Sequence, residues 1–401
     1  MTVKILMSGD GMFTPSGFGT ISINLVPRLN NDPNIECAIL SWQHTGNKIE
    51  WKGIKIYPIH GHPMGADSIE YAINDFKPDI LITQGDLWMS NYLIGEKYQK
   101  LLKKNKTKWY WYLPIDTEIF PPAFKGIISI PDKIISMAKF AGELMHKEGI
   151  ENWFIPHGVN NDIFHPLSED IKQQIRSGGK YSNKDLSDKF VVGFVGRNQD
   201  RKQIPRLIRS FALFAKGKDD VHLQLHMDKF DPAGMSKDFQ GTYYPGILNL
   251  IEFFGIKEKV DFTKGVLHYT NALTQENLNE VYNMMHLHAS TTSGEGFGLT
   301  TIESLSAGIP NVITDYTSSK ELVEGHGKLV PIIAQIWGSF GTWRGIVNEE
   351  EFAKALEEYY NDWKNGGNLL KEHSEASRKH AENYNWDKKI IPMWKEVLLE
   401  K

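Results

Sequence analysis

The amino-acid sequence predicts an α/β protein built from two Rossmann-like units in tandem. Short apolar runs that end near glycine and lead into helical patterns recur along the first half of the chain, and the same alternation restarts at Phe190. Alternating strands and helices are typical of a parallel sheet with helices on both faces. The length of 401 residues exceeds a typical domain of about 100 to 200 residues, which favours two domains.

The first unit begins with a predicted strand at residues 3–8, followed by a glycine loop at 10–19 and a helical pattern from Ile21 to Leu29. Later apolar runs predict further strands, at residues 80–83, 109–113, 133–137 and 153–155. From 166 to 188 the chain turns polar and charged, with a Gly-Gly pair in the middle. We interpret this stretch as a linker.

The second unit begins with a predicted strand at 190–196, and Pro205 fits the first turn of the helix that follows. Its other predicted strands lie at residues 221–225, 260–262, 287–290 and 312–314. An amphipathic pattern at 386–399 predicts a final helix. We expect domains at 1–175 and 186–380, with residues 381–401 packing back on the first domain, and a ligand cleft between the two units.

Composition narrows the functional class. The formal charge of -4 gives no electrostatic reason to bind nucleic acid or an anionic membrane as a whole. Cys37 is the only cysteine, which excludes an intramolecular disulfide and suits a reducing compartment. No run approaches the roughly 18 apolar residues of a membrane span. We expect a cytoplasmic protein; the lysine-rich stretch 97–108 favours a solvated helix, with peripheral membrane or acceptor contact as the alternative.

Residues 293–310 are the most informative segment. They place Glu295 before a glycine turn and Glu303 inside a helix that begins near Leu299, between two predicted strands. The backbone N–H groups at such a helix start stabilise an anionic phosphate. The arrangement is suited to gripping a phosphorylated sugar; an ordinary surface helix that starts after glycine is the alternative.

A group of cations follows the predicted strand that ends at Gly196. Arg197, Arg201 and Lys202 lie within six residues of each other, at the end of a strand where ligands bind in such sheets. Arginine forms bidentate hydrogen bonds with two phosphate oxygens, and lysine supplies a point charge. The group is therefore suited to a diphosphate, although Arg201 and Lys202 also fit exposed loop positions.

These elements resemble the donor domain of family 4 retaining glycosyltransferases, the group 1 glycosyltransferases that include glycogen synthases and mannosyltransferases. The specific part is Gly196-Arg197 and Lys202, followed by two glutamates, Glu295 and Glu303, with seven residues between them. The first half agrees through Ser-Gly-Phe-Gly-Thr at 16–20 and Ile-Pro-His-Gly-Val-Asn at 155–160, so the resemblance covers nearly the whole chain.

The resemblance implies a GT-B fold, in which two Rossmann-like domains face each other across a cleft. It also implies a retaining, metal-independent hexosyltransferase that uses a UDP- or GDP-sugar and requires no cofactor. Glu295 would lie beside the transferred sugar, Glu303 at the ribose, and Arg197 and Lys202 at the diphosphate. The remaining sugar-donor contacts that it implies are Gly17, Gly19, Arg201, Gly265, Val266, Gly296, Phe297, Gly298, Leu299 and Thr300.

One departure from the family concerns the loop after the predicted strand at 109–113. Many relatives carry a histidine there, whereas this chain has Asp116, which would orient a sugar hydroxyl or deprotonate the acceptor, or simply cap the loop. We group Asp116 with the catalytic candidates. Ser16, Glu118 and His157 are the candidates for the acceptor side of the cleft.

No convincing metal site is expected. The chain has no Asp-x-Asp pair in a suitable place, and its histidine pairs lack the cysteine or histidine partners that zinc requires. Three alternatives to the transferase are an epimerase of the same architecture, a catalytically silent sugar-nucleotide-binding protein and, more weakly, a nicotinamide dehydrogenase. The acceptor stays open among glycans, lipids, metabolites, proteins and modified nucleic acids, as does the choice between a monomer and a homodimer.

Overall fold

In the computed structural model the chain forms two compact units. The structure describes residues 2–237, 240–265, 273–338 and 341–400. The first unit contains the chain up to Gly158 and again from Tyr384 onward, and the second unit runs from Val159 to Asn383. The second unit therefore begins before the segment that the sequence suggested as a linker.

The first unit is an α/β sandwich around one sheet. Its elements, in chain order, are β1 Val3–Gly9, α1 Gly17–Asn30, β2 Ile35–Ser41, β3 Ile49–Trp51, β4 Ile54–Tyr57, α2 Ile69–Phe76, β5 Ile80–Gln84, α3 Leu87–Ser90, α4 Glu96–Asn105, β6 Lys108–Leu113, α5 Pro122–Ile128, β7 Lys133–Ser136, α6 Lys139–Lys147 and β8 Trp153–Phe154. The strand order is β3-β4-β2-β1-β5-β6-β7-β8. All neighbours are parallel except β3 and β4.

The central strands of this sheet are covered on both faces, which explains their continuous apolar sequences. Every residue of β5 and all but the first residue of β6 are buried. Trp109 and Trp111 stack with ring centroids 5.0 Å apart, and the Trp109 indole N–H donates to Thr83 Oγ1 at 2.9 Å. Burial of this polar pair is tolerated because its hydrogen bond is made inside the core.

The second unit repeats the architecture. Its elements are α7 Glu169–Ser177, β9 Phe190–Val195, α8 Ile204–Phe214, β10 Val221–His226, β11 Ser236–Lys237, β12 Tyr243–Tyr244, α9 Gly246–Phe253, β13 Val260–Phe262, α10 Gln275–Asn283, β14 Leu287–Ser290, α11 Leu299–Ser306, β15 Asn311–Asp315, α12 Ser319–Val323, β16 Lys328–Trp337, β17 Trp343–Val347, α13 Glu349–Lys364 and α14 Asn368–Ala381. The main sheet has the order β13-β10-β9-β14-β15-β16-β17. It is parallel apart from the β16–β17 hairpin. The expected pair of parallel α/β sheets is thus confirmed.

The segment at 166–188 is not an open linker, because part of it forms helix α7. Only Ile175 and Arg176 of this helix are buried, so its sequence looks polar throughout. The Arg176 guanidinium donates to the Met284 carbonyl at 3.0 Å, which fastens the helix to the second unit. A one-sided helix of this kind lacks the apolar stripe by which helices are recognised in sequence.

The end of the chain belongs to the first unit. A π-helical turn at Trp386–Ile390 leads into α15 (Ile391–Leu399). Trp394 packs edge-on against Tyr112 with ring centroids 5.0 Å apart, and Lys395 pairs with Asp32 at 2.6 Å. Within the ranges described, no helix combines the length and the apolar character that crossing a bilayer requires.

Candidate functional site

Two neighbouring strands of the second unit carry the candidate site. β9 and β14 lie side by side and parallel, so the loops after them leave the same edge of the sheet. A short 3₁₀ turn at Asp200–Lys202 follows β9, and the glycine turn into α11 follows β14. Ser293 N–H donates to the Arg201 carbonyl at 2.7 Å and Thr291 Oγ1 to the Gln203 carbonyl at 2.9 Å, which joins the two loops.

Glu295 is the centre of this site. Its carboxylate accepts from Arg201 at 2.8 Å, from Thr292 Oγ1 at 3.1 Å and from the ammonium group of Lys202. Glu295 and Lys202 are both buried, whereas about a third of the Arg201 side chain is exposed (34%). The structure thus brings together three of the predicted residues.

The charges of this cluster keep Glu295 ionised. Burial by itself raises the pKa of Glu295, but Arg201 and Lys202 outweigh it and hold the pKa at about 2. Burial lowers the pKa of Lys202, against the opposing influence of the Glu295 carboxylate. With two cations for one carboxylate, the cluster carries a net positive charge that suits an anionic ligand.

Glu303 lies in a different environment. It is buried in α11, and the Tyr282 hydroxyl donates to it at 2.9 Å. Burial raises its pKa to about 7, only partly offset by this hydrogen bond. The two predicted glutamates therefore differ in charge state near neutral pH, Glu295 being ionised and Glu303 titrating.

Because of the glycine turn, α11 begins at the edge of the sheet where β9 and β14 end. Gly298 has a φ of +102°, in the left-handed region that favours glycine, and the helix begins at the next residue, Leu299. The first amides of a helix have no intrahelical acceptor. The amides of Leu299 and Thr300 are thus the first two of α11, following Gly296 and the buried Phe297 in the turn.

Arg197 is not part of the Glu295 cluster. Its guanidinium makes a two-point contact with Asp231, at 2.8 and 3.0 Å, and half of its side chain is exposed. Asp231 is fully buried and also accepts from the Ala233 amide. Sequence reasoning placed Arg197 beside Lys202 and missed Asp231; the only signal was an Asp-Pro dipeptide typical of a turn.

In the β1–α1 loop, the predicted site residues Ser16 and Gly19 stabilise the conformation of the loop itself. Ser16 caps α1 by accepting from the Gly19 amide at 2.9 Å, and its hydroxyl donates to Asp10. A Cβ on Gly19 would lie 2.1 Å from the Thr14 carbonyl oxygen, so only glycine fits. Gly17 is the first residue of α1 and is exposed.

The other candidates of the first unit are dispersed. His157 is buried, with its Nδ1 2.5 Å from the Tyr112 hydroxyl, and burial lowers its pKa to about 3. Asp116 is half-buried and Glu118 is exposed, both in the segment after β6. His157 is thus an interior residue of the first unit, not a surface group.

One predicted contact, Val266, lies outside the described residues, and Gly265 is the last residue before that gap, with a φ of +81°. Within the described ranges, no group of three or more His, Cys, Asp or Glu side chains is arranged to hold a metal ion.

The chain has the GT-B fold of the solved structures that it resembles. Sucrose-phosphate synthase from Thermosynechococcus elongatus matches with a TM-score of 0.74 at 15% identity, over 99% of this chain and 98% of that one. HepE from Anabaena in complex with UDP-glucose matches with a TM-score of 0.69 at 13% identity, over 99% of each chain. At these identities the likeness concerns the fold.

The family follows from the sequence of the second unit. The family model described as "Glycosyl transferases group 1" matches residues 180–380, about half of the chain. The chain belongs to the group 1 glycosyl transferases. Both expectations from the motifs, the family and the GT-B fold, are confirmed.

A curated relative adds a more specific comparison. Mannosylfructose-phosphate synthase from Agrobacterium fabrum is 29% identical over 164 residues, which is 40% of this chain. The aligned region spans only about a third (32%) of that relative's length.

Proposed function

We propose that this protein is a retaining hexosyltransferase that works without a metal ion and takes a UDP- or GDP-hexose as its sugar donor. The observation that carries the proposal is the buried carboxylate of Glu295 between Arg201 and Lys202, at the sheet edge where α11 begins. A sugar diphosphate needs a hydrogen-bond acceptor for hydroxyls and cations for phosphate, and this cluster contains both.

When the sugar diphosphate binds, the hydrogen-bond partners of Glu295, Arg201 and Lys202 change. An ionised carboxylate is only an acceptor, so Glu295 is suited to two hydroxyls of the transferred sugar. The diphosphate competes with Glu295 for Lys202 and Arg201 and releases carboxylate lone pairs for those hydroxyls. Once the ligand is bound these groups already face the atoms on which charge develops, so little reorganisation is needed in the transition state.

The chemical step is an electrostatic one. The bond between the anomeric carbon and the β-phosphate oxygen breaks, and its electron pair stays on that oxygen. Lys202, Arg197 and the first amides of α11 stabilise the developing negative charge. The acceptor oxygen bonds to the same face of the anomeric carbon, and its proton passes to a phosphate oxygen, which retains the configuration.

Glu303 is assigned to the ribose hydroxyls and Asp116 to the acceptor side of the reaction. The raised pKa of Glu303 means that its carboxylate form grows as the pH passes about 7. A ribose hydroxyl donates more strongly to the carboxylate than to the neutral acid. We therefore expect donor binding to strengthen with pH in this range.

The names of the relatives suggest which substrates to test first. HepE is described in complex with UDP-glucose, which makes that compound the first donor. Mannosylfructose-phosphate synthase and sucrose-phosphate synthase are named for phosphorylated disaccharide products, so a phosphorylated sugar is the first acceptor class.

The test is a mass-spectrometric screen of the purified protein with UDP-, GDP-, ADP- and dTDP-hexoses, with and without sugar phosphates. We expect hydrolysis or transfer from one donor, unchanged by EDTA, and a product whose anomeric configuration by NMR matches that of the donor. Loss of activity with EDTA would overturn metal independence, and inversion would overturn retention. A new nucleotide sugar without free nucleotide would indicate an epimerase, and binding without turnover a silent binding protein.

A variant of Glu295 and a matched surface control test whether the Glu295 cluster is the active site. Glu295→Gln should lower turnover strongly and leave a small, measurable residual rate, whereas Lys354→Met, at an exposed lysine of α13 paired with Glu351, should not change turnover. A covalent glycosyl-enzyme trapped on Asp116 or Glu295 would replace the same-face step by a double displacement.

A further inference from the structure

The main chain of Glu295 is held by two consecutive residues just before α12. The Glu295 amide donates to Thr317 Oγ1 at 2.9 Å, and Ser318 Oγ donates to the Glu295 carbonyl at 3.0 Å. The Thr317 hydroxyl in turn donates to the Tyr316 carbonyl at 2.8 Å. Thr317 and Ser318 are both buried. Both backbone groups of Glu295 are therefore fixed by this segment.

Thr317 adopts an unfavourable backbone conformation. Its φ is +55°, in the left-handed region, where a β-branched residue is a genuine outlier. Glycine would adopt this conformation without steric conflict. Strained residues of this kind persist where their surroundings hold them, and they concentrate at functional sites. Threonine adds one group that glycine lacks, and that hydroxyl is the acceptor for the Glu295 amide.

We infer that Thr317 is a positioning residue for Glu295. By holding the Glu295 amide, it sets the point from which the carboxylate reaches Arg201, Lys202 and the sugar. This inference rests on the proposed function, in which Glu295 contacts the transferred sugar. Thr317 itself is assigned no contact with substrate.

Three substitutions of Thr317 separate the effect of its hydroxyl group from the effect of its unfavourable backbone conformation. Thr317→Val keeps the shape and removes the acceptor, Thr317→Ser keeps the hydroxyl, and Thr317→Gly removes both the hydroxyl and the steric conflict. Thr314→Val is the matched control, because the buried Thr314 Oγ1 in β15 has no hydrogen-bond partner among the described residues.

The expected result is a split between turnover and nucleotide affinity. Thr317→Val and Thr317→Gly should lower kcat for the nucleotide sugar by roughly 10- to 100-fold, the effect of a small displacement of a substrate-positioning group. Their Kd for the free nucleoside diphosphate, which lacks the sugar, should stay within about twofold. Thr317→Ser and Thr314→Val should keep wild-type kcat. Thr317→Gly should unfold at a denaturant concentration no lower than the wild type.

A double-mutant cycle tests whether Thr317 acts through Glu295. On a Glu295→Gln background, Thr317→Val should reduce the residual kcat by less than about twofold. Multiplicative losses would overturn the inference, as would wild-type kcat in Thr317→Val or equal weakening of nucleotide binding. Full activity of Glu295→Gln alone would instead overturn the proposed role of Glu295, so the two failures are distinguishable.

Discussion

Lys202 and Glu295 form a buried ion pair that links the loops after two neighbouring strands. Removing one partner of such a pair leaves an uncompensated buried charge, which costs about 3 to 5 kcal/mol. Arg201 stays beside Glu295 in a Lys202→Met variant, so we expect the lower end, about 3 kcal/mol.

Urea unfolding of Lys202→Met measures this loss. The double variant Lys202→Met with Glu295→Gln should recover much of the stability, because both charges are then absent. A single variant as stable as the wild type would mean that the pair is well solvated, contrary to its burial.

The pKa of Glu303 makes stability depend on pH. Burial raises this pKa to about 7 in the folded chain, whereas glutamate titrates near 4.3 in an unfolded chain. The folded state therefore holds the proton more tightly. The stabilising contribution is complete below about pH 4.3 and is lost as the pH rises through about 7, by on the order of 3 kcal/mol in total.

Comparison with Glu303→Gln isolates this effect, since all other groups titrate in both proteins. Between pH 5 and 8, the wild type should lose stability relative to the variant. Tyr282→Phe removes a hydrogen bond that lowers the pKa, so its transition should lie at higher pH. Parallel stability profiles for wild type and Glu303→Gln would contradict the raised pKa.

The two-point contact between Asp231 and Arg197 should matter for donor affinity. Asp231→Asn weakens the orientation of the guanidinium, and Arg197→Lys removes its fork geometry. Each should raise the Kd for the nucleotide sugar roughly tenfold, the scale of one charge-assisted hydrogen bond. Calorimetric titration measures this change, and the double variant should be little worse than either single one. Additive losses would show that the residues act separately.

Gly19 should be intolerant of substitution. In Gly19→Ala the added Cβ would lie 2.1 Å from the carbonyl oxygen of Thr14. A side-chain movement cannot relieve this conflict, because the oxygen belongs to the backbone. Overpacking of this kind costs about 1 to 3 kcal/mol. Gly126, inside α5, has open space around its position, so Gly126→Ala should be neutral or stabilise by about 0.5 to 1 kcal/mol. Thermal unfolding of both variants checks the contrast; equal effects would contradict the close approach.

The sequence predicts those parts of the fold in which burial produces a pattern. The central strands β5, β6 and β9 are buried along nearly their whole length and appear as apolar runs. β3 has three residues and is mostly exposed, and β16 alternates irregularly between exposed and buried positions, so neither has a readable period. α7 was missed because it buries so little.

The candidate site divides in the same way. Glu295 and Lys202 were predicted because they belong to motifs of fixed spacing within their own loops. Thr317, which accepts from the Glu295 amide, lies 22 positions from Glu295. Asp231, which accepts from Arg197, lies 34 positions from Arg197. Backbone hydrogen bonds and turn conformations decide such pairings, and the residue types reveal little of them beyond the turn signal at Asp231. The contact between Arg201 and Glu295 has the same origin, since Arg201 lies in the 3₁₀ turn at Asp200–Lys202.

The first unit is discontinuous in sequence, because α15 returns to it after the whole second unit has been traversed. All residues of the second unit are therefore synthesised before Trp394, the residue that packs on the ring of Tyr112 in the first unit. The N-terminal domain of a chain usually matures first on the ribosome, whereas the first unit here is incomplete until the last helix has been made. A chain that ends before α15 would therefore lack the ring of Trp394 that packs on Tyr112 in the first unit.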